Sequence, residues 1–162
     1  MKKYLGMSLS IGIVAGIWFF VANSLGLQPW PAYIGWSVFF WEGADFDGVK
    51  RSFPCIVLGA VLGVITFYCI GLLGDIPGPG VTLLLASLMV MCLAFTMTIA
   101  QTSSLFRVAS ATFIGASHYF GLRGYLPAME GFLNAAFVTS VGLILGMISV
   151  KLGAVFESKI GE

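Results

Sequence analysis

The sequence predicts an all-α membrane protein: a single transmembrane domain, residues 1–162, whose six membrane segments, two of them short, form a 3+3 inverted-topology repeat with both termini cytoplasmic. Three observations predict it. Hydrophobic residues make up 59% of the chain and charged ones only 9%, where soluble domains carry about 25% charge. Two octets 80 residues apart share the order aromatic, Ile, Gly, any residue, Ser, any residue, aromatic, Phe: Tyr33-Ile34-Gly35-Trp36-Ser37-Val38-Phe39-Phe40 and Phe113-Ile114-Gly115-Ala116-Ser117-His118-Tyr119-Phe120. Proline and glycine punctuate the apolar runs, most densely midway at Asp75-Ile76-Pro77-Gly78-Pro79-Gly80.

The first segment, 4–27, is long enough to cross a hydrocarbon core about 30 Å thick, which takes roughly 20 apolar residues. Lys2-Lys3 before it and Ala22-Asn23-Ser24 at its end imitate a weak secretory signal,. A retained span is expected instead, because the topology needs a sixth helix. Gln28-Pro29-Trp30-Pro31 breaks the chain before the second segment, 32–42, which at 1.5 Å per residue reaches only about 17 Å and cannot cross unaided. The third, 53–73, is expected to hold Pro54 in its first turn, where a missing N–H is tolerated,. After the Pro/Gly hinge come a long fourth segment, 80–101, a short fifth, 106–121, and a long sixth, 129–150, opened by Pro127. Repeat 1 then covers about 4–74 and repeat 2 about 80–153. Three crossings per copy make the second copy run the opposite way through the bilayer. Gly48 to Pro54 lines up with Gly121 to Pro127 and prolongs the echo.

Charge sets the orientation. With both termini inside, Lys2, Lys3, Lys50, Arg51, Arg107, Lys151 and Lys159 are cytoplasmic and only Arg123 is outside, which the positive-inside rule favours. A net charge of +1 offers no basic stripe for nucleic acid,. Cys55, Cys69 and Cys92 lie apart in apolar runs, without the close pairing of metal or redox motifs,. Asp45-Phe46-Asp47-Gly48 faintly resembles a calcium loop, but the twelfth position is Ile56, so it is expected to be a solvated loop,. No metal site, cofactor or catalytic constellation is expected, and the chain is not read as an enzyme. Small residues four apart, at Ser8, Gly12 and Gly16, at Gly59 and Gly63, and at Gly142 and Gly146, predict close helix packing,. Whether it joins helices within one subunit or between subunits is open at this point; a homo-oligomer in the lipid bilayer is expected.

The matched short segments are where a solute site is expected, because a membrane repeat points to a site between its halves. Gly35 and Gly115 permit a helix break or contact with another backbone. Ser37 and Ser117 bring hydroxyls, each one donor and two acceptors, among the rings of Phe39, Phe40, Tyr119 and Phe120. Hydroxyls among aromatic walls suit a small polar solute without charge. Trp30, Trp36 and Trp41 are assigned to the interfacial aromatic belt. His118, whose counterpart is Val38, is a candidate proton group, as are Glu42 and Glu130 near helix ends, with Asn134 one turn beyond Glu130,.

A family resemblance follows from Gly16-Ile17-Trp18, Ser24-Leu25-Gly26-Leu27, Ile34-Gly35, Thr112-Phe113-Ile114-Gly115-Ala116 and Gly142-Leu143-Ile144-Leu145-Gly146. Over nearly its whole length the chain resembles the small bacterial inner-membrane proteins of the YcdZ-like family, domain of unknown function 1097. The resemblance implies a multi-span inner-membrane protein and brings no activity with it.

The expected function is a channel or facilitator for a small polar, uncharged solute such as an amide, urea-like compound, alcohol or weak acid. The alternatives are a proton- or ion-coupled transporter using His118, Glu42 or Glu130, and a structural or regulatory membrane subunit without a pore.

Overall fold

The computed structural model describes residues 2–73 and 79–161. Most of the Asp75–Gly80 hinge lies outside the described residues, and Pro79 opens a helix. The helices are α1 (Lys2–Ser24), α2 (Trp30–Trp41), α3 (Phe46–Gly71), α4 (Pro79–Ile99), α5 (Ala109–Leu122), α6 (Ala128–Leu133) and α7 (Thr139–Gly161). A π-helical turn, Asn134–Val138, joins α6 to α7, so that the two run on as one helix. Among the described residues four stretches are long and apolar enough to cross a membrane: Leu5–Ser24, Phe46–Gly71, Gly80–Thr102 and Ala128–Lys159. The chain divides into two compact units, one of residues 1–50 with 138–162 and one of residues 51–137.

In the first unit, α1 buries one ridge at every fourth residue, Gly6, Ser10, Val14, Trp18 and Ala22. Residues four apart share a helix face, and this face meets α7. Gly6 lies against Gly153 and Glu157, the Ser10 hydroxyl donates to the Ser149 carbonyl at 2.7 Å, and Trp18 and Ala22 cluster with Val138. The two helices are therefore antiparallel, which puts the start of α1 and the end of α7 at the same end of the unit. Helix α1 stops at a left-handed Gly26 (φ +68°), with the Leu27 N–H donating back to the Ala22 carbonyl at 2.8 Å. Glycine takes that conformation without the Cβ clash that other residues meet. The loop is then pinned by the Trp18 indole N–H, which donates to the Pro29 carbonyl at 3.0 Å, and α2 is tied to α1 by the Tyr33 hydroxyl on the Ala15 carbonyl at 3.2 Å.

The second unit holds α3 from Arg51 onward, α4, α5 and α6. Helix α3 starts earlier than expected. Asp45 accepts the Gly48 N–H on Oδ1 at 2.6 Å, capping a helix that begins at Phe46, so Asp45–Gly48 is a helix start and Pro54 lies inside α3. Pro127 instead caps α6, and Gly121 sits near the end of α5. The lined-up stretches Gly48–Pro54 and Gly121–Pro127 thus do different structural jobs.

Candidate functional site

The two octets fall on the two short helices, α2 with 12 residues and α5 with 14, about 18 and 21 Å long at 1.5 Å per residue. Each is laid along a long helix of its own unit through glycine. In the first unit, a Cβ on Gly35 would overlap the Thr139 carbonyl of α7, and one on Gly142 would overlap the Ala32 carbonyl of α2. In the second, a Cβ on Gly115 would overlap the Ile56 carbonyl of α3, and one on Gly59 the Thr112 carbonyl of α5. Farther along, Gly146 receives Phe39 and Trp36, while Gly63 receives Tyr119 and Ala116. Residue numbers rise together on both partners, so each short helix runs parallel to its long one. Absent side chains let the two backbones approach, which in lipid is the main source of helix affinity.

Burial repeats in the same way. Positions 31, 32, 35, 36, 38 and 39 of α2 are buried, and so are 111, 112, 115, 116, 118 and 119 of α5. His118 and Val38, the unlike pair, occupy equally buried positions. Phe39 and Tyr119 are sealed inside their units, Phe40 is exposed and Phe120 half-buried. Ser37 and Ser117 are both exposed, and each hydroxyl donates to the carbonyl one turn back, Tyr33 at 3.2 Å and Phe113 at 2.7 Å. The octets therefore have a buried glycine face and an exposed serine face. Gly35 and Gly115 face the backbone of the long helices.

The largest change of side-chain size between the octets is Trp36 against Ala116. Trp36, expected at the bilayer surface, is only 5% exposed; its indole N–H donates to Ser149 Oγ at 3.2 Å, and that hydroxyl donates to the Gly146 carbonyl at 2.7 Å. The burial follows because Gly142 lets the α2 backbone approach, Gly146 clears space for the ring, and its one donor finds a partner,. Trp41, at the end of α2, is 77% exposed. At the position of Trp36, α5 carries Ala116. There a groove of about 160 Å³ opens between α4 and α5, lined by Val90, Leu93, Ala94, Met97, Phe113, Ala116, Ser117 and Phe120. It brings Ser117 and Phe120 together around a space, with one hydroxyl among apolar walls.

None of the expected ionisable candidates lines this groove. Glu42 is the half-buried C-cap of α2, its N–H donating to the Val38 carbonyl. Glu130 is exposed in the first turn of α6, and the buried Asn134 donates to its backbone carbonyl at 2.9 Å. Asn134 opens the π turn, a distortion that in helices recurs at functional positions and that no apolar pattern announces. Among the described residues no group of three His, Cys, Asp or Glu side chains is placed to hold a metal ion.

The profile of a family described as "Protein of unknown function (DUF1097)" matches residues 8–154. The chain is also similar to the protein named "Inner membrane protein YcdZ" of Escherichia coli (strain K12), with 28% identity over 157 residues, 93% of each chain. No solved structure matches it.

Proposed function

The chain belongs to the DUF1097 family, and from that premise we propose that it is an inner-membrane facilitator for a small polar, uncharged solute. Placement in the inner membrane is supported by the name of its E. coli relative and by four helices able to cross a bilayer. The observation that carries the reading is the double construction: two short helices, each laid by glycine along a long one, with the same positions buried and the same serine left facing out. Such duplication, with short segments among full spans, is the plan of inverted-repeat transporters. The antiparallel α1 and α7 agree with termini on one side, and the basic residues favour the cytoplasm for that side. The serine-bearing faces, not the glycine faces, are then the surfaces for solute, Ser117 and Phe120 in the groove foremost. The exposed Ser8, Gly12 and Gly16, with open space above both glycines, support a second copy against α1,.

Stopped-flow swelling of proteoliposomes across amides, urea-like compounds, short alcohols and weak acids tests the proposal. Wild-type protein should speed entry of at least one solute, and Ser37→Leu with Ser117→Leu should abolish the gain. Equal rates for empty, wild-type and variant vesicles would sink it. That outcome would leave a structural or regulatory subunit, a reading favoured by hydroxyls already bonded to their own helices.

A further inference from the structure

We propose that the unit of residues 51–137 binds an anionic phospholipid, with its phosphate at Arg123 and an acyl chain in the groove lined by Val61, Val64, Ile65, Ala128, Met129 and Phe132. The groove, about 290 Å³, lies between α3 and α6, and every residue lining it is apolar. In a bilayer the apolar matter at hand to fill such a groove is hydrocarbon chain.

Arg123 supplies the other half of the site. A guanidinium keeps its charge at any accessible pH and offers five donors. Here one of them, Nη1, donates to the Leu126 carbonyl at 2.6 Å, while Nε is buried without a hydrogen-bond partner. The guanidinium carbon stands 5.1 Å from the centre of the Phe67 ring. Among the described residues no carboxylate reaches it. A carbonyl and a ring face leave most of this charge uncompensated, which is costly near hydrocarbon. The planar fork is shaped for phosphate oxygens.

The two halves adjoin. Phe67 lies one helical turn beyond Val64 on α3. Gly131 precedes Phe132 on α6, and a Cβ there would be 3.6 Å from Arg123 Cδ. The charge therefore stands beside the walls of the groove. A ligand with an anionic head and an apolar tail satisfies both, whereas a zwitterionic lipid brings its own cation to the phosphate.

The test is native mass spectrometry of delipidated full-length protein titrated with phosphatidylglycerol or phosphatidylcholine of the same acyl chains. Wild-type protein should prefer phosphatidylglycerol by roughly tenfold, the scale of one charge-assisted hydrogen bond. Arg123→Gln should bring the ratio to about one, and Arg123→Lys should keep part of it. Ala128→Trp, with the guanidinium intact, should weaken both lipids by obstructing the groove, so the idea remains testable even if Arg123→Gln does not fold. Equal retention of the two lipids by wild type, or a preference untouched by Arg123→Gln, overturns the proposal. So does competition by tail-less glycerol phosphate as strong as that of the whole lipid, which would mark a headgroup site alone.

Discussion

Trp36 and Ser149 meet through one hydrogen bond, indole N–H to hydroxyl at 3.2 Å, at the point where α2 lies against α7. Ser10 reaches the same residue, donating to the Ser149 carbonyl at 2.7 Å, so α1, α2 and α7 meet there. Serine and indole donors are all satisfied in an apolar surround, where an unmet one costs about 1–3 kcal/mol. Ser149→Ala leaves the Trp36 N–H buried and unpaired, and should destabilise the protein by about 1–2 kcal/mol. Trp36→Ala also opens a cavity and should cost about 3–5 kcal/mol. Unfolding in mixed micelles titrated with dodecyl sulfate, followed by circular dichroism, would check both.

Glycine substitutions should divide sharply by place. Gly35→Ala and Gly115→Ala drive a methyl into the Thr139 and Ile56 carbonyls, which are backbone and cannot turn aside. Each should cost about 1–3 kcal/mol or more. Gly12→Ala and Gly16→Ala meet nothing within 4 Å in their own chain and, in micelles dilute enough to hold single copies, should gain up to about 1 kcal/mol in helix propensity. The same micellar unfolding assay measures all four. Equal effects at the two pairs of sites would refute the assignment of packing to the octets.

Ser52 offers a test with the opposite sign. Its hydroxyl is fully buried and has no hydrogen-bond partner. Removing a buried polar group that no partner satisfies relieves its desolvation, so Ser52→Ala should be neutral or stabilising by up to about 1 kcal/mol. A loss of stability as large as that of Ser149→Ala would contradict the bonding described for Ser52.

Ala116→Trp copies Trp36 into the α5 octet and occupies the groove beside Ser117. The expected result is a folded protein whose solute flux in proteoliposomes falls toward that of empty vesicles. Unchanged flux would remove this groove from the path.

Much of the architecture was legible in hydropathy, because length and apolar content set what can span a bilayer. The six expected segments correspond to the observed helices, yet their ends shift for local reasons. Helix α3 begins at Phe46 because the Asp45 carboxylate caps it, and α7 continues to Gly161 although apolar character ends near Val150. Solvated turns follow hydrogen bonding, not hydropathy. The octets fall on the two short helices, and their glycines meet a close backbone, one of the two roles expected of them. Which backbone could not be read, since Thr139 and Ile56 carry no pairing signal in the sequence. Trp36 misled as an interfacial anchor because tryptophan suits both a rim and a core with one acceptor. Arg123 stood out only as the lone external cation; its placement over Phe67 depends on where α5 ends and α6 begins.

The make-up of the two units bears on biosynthesis. Residues 51–137 form one uninterrupted stretch, whereas α1 and α2 are completed by a helix at the far end of the chain. At about 5–20 residues per second, a ribosome would finish the central block while the opening pair still waits on the order of ten seconds for α7. During that interval the ridge of Ser10, Trp18 and Ala22 faces lipid or an insertion chaperone. Nascent chains stalled before codon 139 should therefore be the ones most exposed to membrane proteases.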